Sequence, residues 1–365
     1  MQGADLGQDE AFARIRLLRS PNIGPISYRQ LLRRFGDASA ALAALPDLAA
    51  RGGAPYRPAA EARIEDEIAA LKRAGARYLF HDFPAYPPLL AEVESAPPIL
   101  IVRGDTALAA RPAVAVVGAR NASAAAVKLA RDFAAALAGE GFVVVSGLAR
   151  GIDGAAHRGA LANGTIGVIA SGIDIAYLPE HAELQEAIAR QGLLLAEQPP
   201  GAEPLARHFP SRNRIIAGLA AGTLVVEAAP RSGSLITARL AAEFGREVMA
   251  IPGSPLDSRA HGCNRLIRDG AVLVQTPEDV IELLSGFDGV PRSTFREAVA
   301  DYAPAEELSD APADIAGLLT TAPVAVDELI RQSGESPAAV QLALLELEIA
   351  GRLVRHAGGR VSLGN

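Results

Sequence analysis

Cysteine occurs once, at Cys263, tryptophan is absent, and lysine appears only as Lys72 and Lys128 in a chain of 365 residues. A single cysteine excludes a disulfide framework and points to a reducing compartment. The scarcity of lysine beside abundant arginine and alanine reads as codon bias. No uncharged apolar run reaches the roughly 18 residues a membrane helix needs. The opening MQGADLGQDEAFARIRLL has no basic region followed by an apolar core, so a signal peptide is not expected. The reading is a cytoplasmic protein without membrane contact.

Several motifs are missing as well. VVGARNASAAA follows the first strand pattern where a dinucleotide fold would carry G-x-G-x-x-G, and no G-x-x-x-x-G-K-[ST] occurs. The six histidines are scattered, with no H-E-x-x-H and no His/Cys cluster. Neither a cofactor nor a metal is expected. Ser146, Asp153 and His157 are the residue types of a hydrolytic triad, but VSGLARG is not G-x-S-x-G, which speaks against one.

What is present is a large apolar fraction, 50% of residues, beside 21% charged ones, so a sizeable core is expected and global disorder is not. The formal charge of −7 argues on its face against nucleic acid. Its distribution is uneven. Residues 111–275 carry 16 basic and 14 acidic side chains, whereas residues 276–365 carry 6 and 15. Binding follows the local field and not the net value.

Residues 8–80 read as short amphipathic helices broken at PNIGP. Helix, glycine turn, helix is the outline of a SAM or helix-hairpin-helix unit. The turn has only Gly24 where paired glycines would expose amides to phosphate, so a helical packing domain is the favoured reading. From Ala113 on, AVAVVG, FVVVSG, TIGVIAS, LLLAE, TLVVEA, EVMAIPG and AVLVQ alternate with helical patterns. That alternation predicts an α/β fold with a parallel sheet covered on both faces. Residues 286–311 read as a polar linker. Residues 312–365 give three helices and a hairpin turning at Gly358-Gly359, a winged-helix outline. Its third helix, PAAVQLALLELEIA, has no Lys or Arg and two Glu, so a packing or interaction role is favoured over the major groove. The expected domains are therefore 1–85, 86–285, a linker at 286–311, and 312–365.

Ligands of open α/β sheets bind at the carboxyl ends of strands, and there the glycines, serines and arginines gather. GARNAS offers Gly118, Arg120 and Ser123. SGLARGID offers Ser146, Gly147, Arg150 and Gly151. RHFPSRNR offers Arg207, His208, Phe209, Arg212, Asn213 and Arg214. APRSGSLITA offers Arg231, Ser232, Gly233, Ser234 and Thr237. Glycines admit a close ligand, free amides and hydroxyls bind phosphate oxygens, and arginines add bidentate contacts. Ser211 is read as the N-cap of a helix. Arg212 and Arg214 then fall at the positive end of its dipole, unfavourable by a few tenths to about 1 kcal/mol each unless an anion completes the arrangement. Phe209, between arginines, is open to two roles: stacking on a base, or filling a gap behind the loop. Asp153 and Glu227 are available as intramolecular partners for the arginines.

VAVVGARNAS, VSGLARGIDGAAHRGAL, TIGVIASGIDIAYLPEH, FPSRNRIIAGLA, TLVVEAAPRSGSLITARLAAEFGREVMAIPG and GCNRLIRDGA together resemble the DprA (Smf) family of DNA-processing proteins, over roughly Tyr86 to Leu284. The resemblance implies an extended Rossmann-like domain that binds single-stranded DNA with little sequence preference. It implies loading of the recombinase RecA onto incoming strands in natural transformation, and a homodimer built through the Rossmann-like domains. It also implies a DNA site lined by Arg120, the SGLARG loop, the FPSRNR arginines and the SGS of RSGSLIT, with Phe209 meeting a base. The sheet is similar, too, to that of lysine-decarboxylase-like phosphoribohydrolases. Their P-G-G-x-G-T-x-x-E glutamate falls here on Thr237, and a hydroxyl cannot replace that carboxylate. A non-enzymatic DNA-binding protein is therefore the leading expectation. A nucleotide hydrolase and a pure adaptor are its rivals.

Overall fold

A computed structural model of the chain describes residues 6–285, 315–356 and 358–364. The linker expected at 286–311 lies outside the described residues. These residues fall into two compact units, one drawn from Met1–Asp66 and Phe295–Asn365, the other from Glu67–Thr294.

In the second unit, the described strands are β1 (Arg77–Phe80), β2 (Ile99–Gly104), β3 (Ala113–Val117), β4 (Val143–Ser146), β5 (Thr165–Ile169), β6 (Leu193–Ala196), β7 (Gly222–Val225), β8 (Glu247–Ala250) and β9 (Val272–Leu273). They form one sheet in the order β1-β2-β6-β5-β4-β3-β7-β8-β9. β3 to β9 are parallel, as their patterns predict. β3 to β7 are short runs buried throughout because both faces are covered, whereas at the sheet edge Glu247 of β8 and both residues of β9 are exposed. In β3, Val114 and Val116 pack with Phe133, Leu137 and Ile152 on one face. Ala113, Ala115 and Val117 pack with Ile215, Ile216 and Leu219 on the other.

Two antiparallel strands carry no clear pattern in the sequence. β2 pairs antiparallel with β6, Ile101 opposite Ala196, and β1 pairs antiparallel with β2, Tyr78 opposite Ile101. The sheet is therefore mixed, and it begins at Arg77, upstream of the boundary expected at residue 86. RYLF is four residues long and contains arginine, and ILIVRG sits among prolines, so neither stood out as a strand pattern.

The connection order places the site. From β3 the chain winds outward through β4, β5 and β6 on one side. Helix His208–Leu219 then leads back to β7, which pairs with β3 on the other side. The carboxyl ends of β3 and β7 thus flank the point where winding reverses, and there the flanking helices diverge and leave a crevice.

In the first unit, helices Gln8–Arg19, Pro25–Phe35 and Ala38–Arg51 share a core of Leu17, Leu31, Leu45 and Leu48. The amide of Gly24 donates to Ser27 Oγ at 2.9 Å, so the turn offers no free glycine amide to a phosphate. The winged helix has the expected hairpin and the last two of the expected helices, Val326–Ser333 and Pro337–Ile349. Ser336 caps helix Pro337–Ile349, β10 (Val324–Ala325) pairs antiparallel with β12 (Arg360–Leu363), and β11 (Leu353–His356) turns into β12 through Gly358 and Gly359 at φ 72° and 61°. Of the three helices expected, the first is a single 3-10 turn, Ala316–Leu318. Helix Pro337–Ile349 is covered on two faces. Val340, Leu344 and Leu347 enter the winged-helix core, while Leu345 and Ile349 enter the core of the N-terminal helices. Each such side chain contributes roughly 1.5–3 kcal/mol of burial. At the rim, Arg51 Nε meets Glu346 Oε1 at 2.6 Å and Arg352 Nη1 donates to Gly52 O at 3.2 Å. The helix that such modules set in a major groove serves here as internal packing.

Candidate nucleic-acid interface

A cavity of about 770 Å³ lies at the reversal point. The loop after β3 contributes Gly118, Arg120 and Asn121, and the loop after β7 contributes Arg231, Ser232, Gly233 and Ser234, with Thr237 from the following helix. Helix His208–Leu219 adds Phe209, Arg212 and Asn213, Asp153 enters from the helix after β4, and Arg259 from the loop after β8. Three of the four glycine- and arginine-rich loops converge as expected. The fourth supplies chiefly its helix residue Asp153.

Phe209 is the centre of the arrangement. Arg120 Cζ lies 5.3 Å from its ring centroid and Arg212 Cζ 5.8 Å. Tyr177 meets the ring edge-on at 5.4 Å. Arg120 is exposed and, like Arg231, has no carboxylate partner within ion-pair distance among the described residues.

Arg212 differs from the reading of its loop. The helix begins at His208, not after Ser211, because Pro210 falls in the first turn, where its missing N–H costs nothing. Arg212 therefore sits within the helix and is buried, 6% exposed. Its Nη1 stands 3.9 Å from Asp153 Oδ2, an ion pair without hydrogen-bond contact, and its Nε has no hydrogen-bond partner. Asp153 is held instead by the amides of Gly147 and Ala149 at 3.2 and 3.3 Å. Burial pushes the Asp153 carboxyl up, against the opposing pull of Arg212, the two amides and Arg120. Burial likewise lowers the Arg212 guanidinium, against the pull of Asp153. The desolvated guanidinium thus borders the cavity with donor capacity that Asp153 does not use up.

Eight of the loop residues named from the sequence do not line the cavity; of these, Ser123 caps helix Ala124–Gly139 and His208 Nδ1 lies 3.2 Å from Ala170 O. Arg214 points away, pairs with Glu197 and donates to Ser95 O at 2.7 Å. Two positions on from Arg212, it faces a different side of the helix. Ser146 is fully buried and donates to Val116 O at 2.7 Å. Arg150 is exposed and paired with Glu180, and Arg207 precedes the helix on its exposed side. Gly147 and Gly151 are glycines for internal reasons. A Cβ on Gly147 would stand 1.5 Å from Arg212 Nη1, and one on Gly151 would stand 2.3 Å from Ala119 O, at a backbone φ of +71°. They admit other parts of this chain, not a ligand.

Arg259 and Asn121 also line the cavity, although the sequence patterns do not single them out. Arg259 follows the IPG strand end, so the strand-end rule could have found it. It is bound in bidentate fashion to Asp257, at 3.1 and 2.9 Å.

The triad is not assembled. Ser146 donates to Val116 O, His157 Nδ1 meets Thr165 Oγ1 at 2.8 Å, and Asp153 accepts from backbone amides. Burial pushes the His157 imidazole down to about 3. Thr237, where a phosphoribohydrolase would need glutamate, is 2% exposed in the cavity wall. Among the described residues, no group of three or more His, Cys, Asp or Glu is placed to hold a metal, and no helix is long and apolar enough to cross a membrane.

Comparison with known proteins agrees with this architecture. A family model described as DNA recombination-mediator protein A matches residues 77–285. A DprA-like N-terminal HHH domain matches residues 8–70, and a DprA winged helix domain matches residues 299–359. DNA processing protein DprA of Streptococcus pneumoniae is 49% identical over 198 residues, 54% of this chain and 70% of that one. Protein Smf of Escherichia coli is 38% identical over 312 residues, 82% and 81% of the two chains. The crystal structure of Streptococcus pneumoniae DprA matches with a TM-score of 0.64 at 38% identity, over 74% of this chain and 97% of its own. A structure of Helicobacter pylori DprA, described for its single-stranded DNA binding mode, matches with a TM-score of 0.53 at 29% identity, over 58% and 97%. With all three parts of the architecture matched, the chain belongs to the DNA recombination-mediator protein A family, whose members are named DprA or Smf.

Proposed function

We propose that this chain binds single-stranded DNA at the cavity between β3 and β7, without catalysing a reaction on it, and delivers the strand to the recombinase RecA. The observation that carries this reading is the Phe209 ring between Arg120, which has no carboxylate partner within ion-pair distance among the described residues, and Arg212, whose Nε has no hydrogen-bond partner there. Phosphates take the guanidiniums, while an unstacked base takes the ring and its flanking arginine planes. Bases in a duplex are stacked and cannot reach such a platform, so the single strand is favoured. Ser232 Oγ and Ser234 Oγ lie 2.7 Å apart at the start of helix Ser234–Glu243. There they can rotate toward a phosphate oxygen, as helix N-termini commonly allow. The single-stranded DNA binding mode described for the Helicobacter pylori relative supports the same choice of ligand.

The test is binding of single-stranded and duplex oligonucleotides across a salt series. The single strand should bind more tightly, with affinity falling steeply as salt rises. Absence of any shift with single strands at low salt sinks the reading. Delivery to RecA is checked by adding the protein to a strand-exchange reaction, and assembly as a homodimer through the sheet-bearing unit by light scattering. Release of free base from nucleoside monophosphates, followed by chromatography, would favour the hydrolase instead.

A further inference from the structure

Glu227, two residues past the end of β7, puts a carboxylate beside the proposed polyanion site, yet it does not line that cavity. It is 8% exposed. Its Oε1 accepts from Ser123 N at 3.0 Å and its Oε2 from Ser123 Oγ at 2.7 Å. Its backbone oxygen accepts from Ala119 N at 2.7 Å. Ser123 Oγ in turn caps helix Ala124–Gly139 by accepting from Ala126 N at 3.1 Å. Both ends of the segment Ala119–Ser123, which carries Arg120 and Asn121 to the cavity, are thus fastened to one residue.

We infer that Glu227 is a positioning residue for DNA binding: it fixes the loop that holds Arg120 over Phe209, and through that loop sets affinity for the strand. The inference rests on the reading of the cavity as a single-strand site. Its value is that charge and position predict opposite signs. Removing a carboxylate near a phosphate site raises affinity if the charge matters most. Removing it lowers affinity if the loop's placement matters most.

The experiment measures binding of the full chain to a single-stranded oligonucleotide at fixed salt. Glu227→Ala is expected to weaken binding on the order of tenfold, the scale of one charge-assisted hydrogen bond. Glu227→Gln should rescue it, because its amide oxygen accepts from Ser123 N and its amide nitrogen donates to Ser123 Oγ. In an Arg120→Ala background, Glu227→Ala should add no further loss, because the loop then has no guanidinium to place. Should Glu227→Ala fail to fold, Ser123→Ala removes only a hydroxyl from the same set of bonds and carries the same expectation. A Glu227→Ala chain that binds as tightly as wild type, or more tightly, overturns the inference alone. A wild-type chain that binds no single strand overturns the site and the inference together.

Discussion

Arg212 Nη1 stands 3.9 Å from Asp153 Oδ2, and both side chains are more than nine-tenths buried. The separation is too long for a hydrogen bond, and Asp153 is satisfied by backbone amides instead. The pair thus holds a positive charge in place without neutralising it by contact. Bringing a phosphate to Arg212 need not break a tight ion pair first.

Arg120→Ala and Phe209→Ala should separate charge from stacking. Loss of Arg120, an exposed side chain, should lower the salt dependence of single-strand binding by about 0.7 in log–log slope, one phosphate contact. Loss of Phe209 should cost roughly 1–3 kcal/mol of affinity with the slope unchanged. Salt titrations of the two variants check both.

Arg214→Ala should destabilise the fold and leave DNA binding by the folded protein unchanged. It would strand Glu197 in a partly enclosed site beside Ser95 O, and breaking a buried pair from one side costs about 3–5 kcal/mol. A fall in the urea midpoint with an unaltered binding isotherm is the expected result.

Gly147→Ala should behave as a mutation of Arg212 made from the opposite side. The added methyl would need the space of Arg212 Nη1, 1.5 Å away. Displacement of the guanidinium should weaken single-strand binding, and overpacking should cost about 1–3 kcal/mol of stability. Binding and thermal melting, measured on the same preparation, test the two effects.

Stability should decline as pH falls from about 6.5 toward about 3, because of His157. The imidazole is fully buried and held neutral, its value lowered from 6.5 to about 3. Burial is the main cause, with His181, Arg212 and Arg158 adding to it against a backbone contact at Ser146. In that window the unfolded chain takes up a proton and the folded one does not, so acid favours unfolding. His157→Gln should flatten the fall in denaturant midpoints between about pH 6.5 and about pH 3.

The sheet core was legible because strands buried on both faces are short apolar runs, and β3 to β7 carry that mark. β1 and β2 escaped because a four-residue strand with arginine, and one framed by prolines, do not stand out locally. Their place comes from pairing with β6, far along the chain. The cavity's loops were legible from the strand-end rule. The direction of each side chain within them was not. Arg212 and Arg214 are two residues apart, yet one enters the cavity and the other pairs with Glu197 on another side.

By itself, the sequence determined the alternation of strand and helix, the helical and winged-helix flanks, and the gathering of arginine, serine and glycine at strand ends. Those follow from local periodicity and composition, which act over a few residues. Only the tertiary structure decided that Gly147 makes room for a guanidinium, that Glu227 fastens the Arg120 loop, and that the third helix of the winged module is packed against the N-terminal helices. Those relations join residues distant in the chain, and only the close packing of the folded core brings them together.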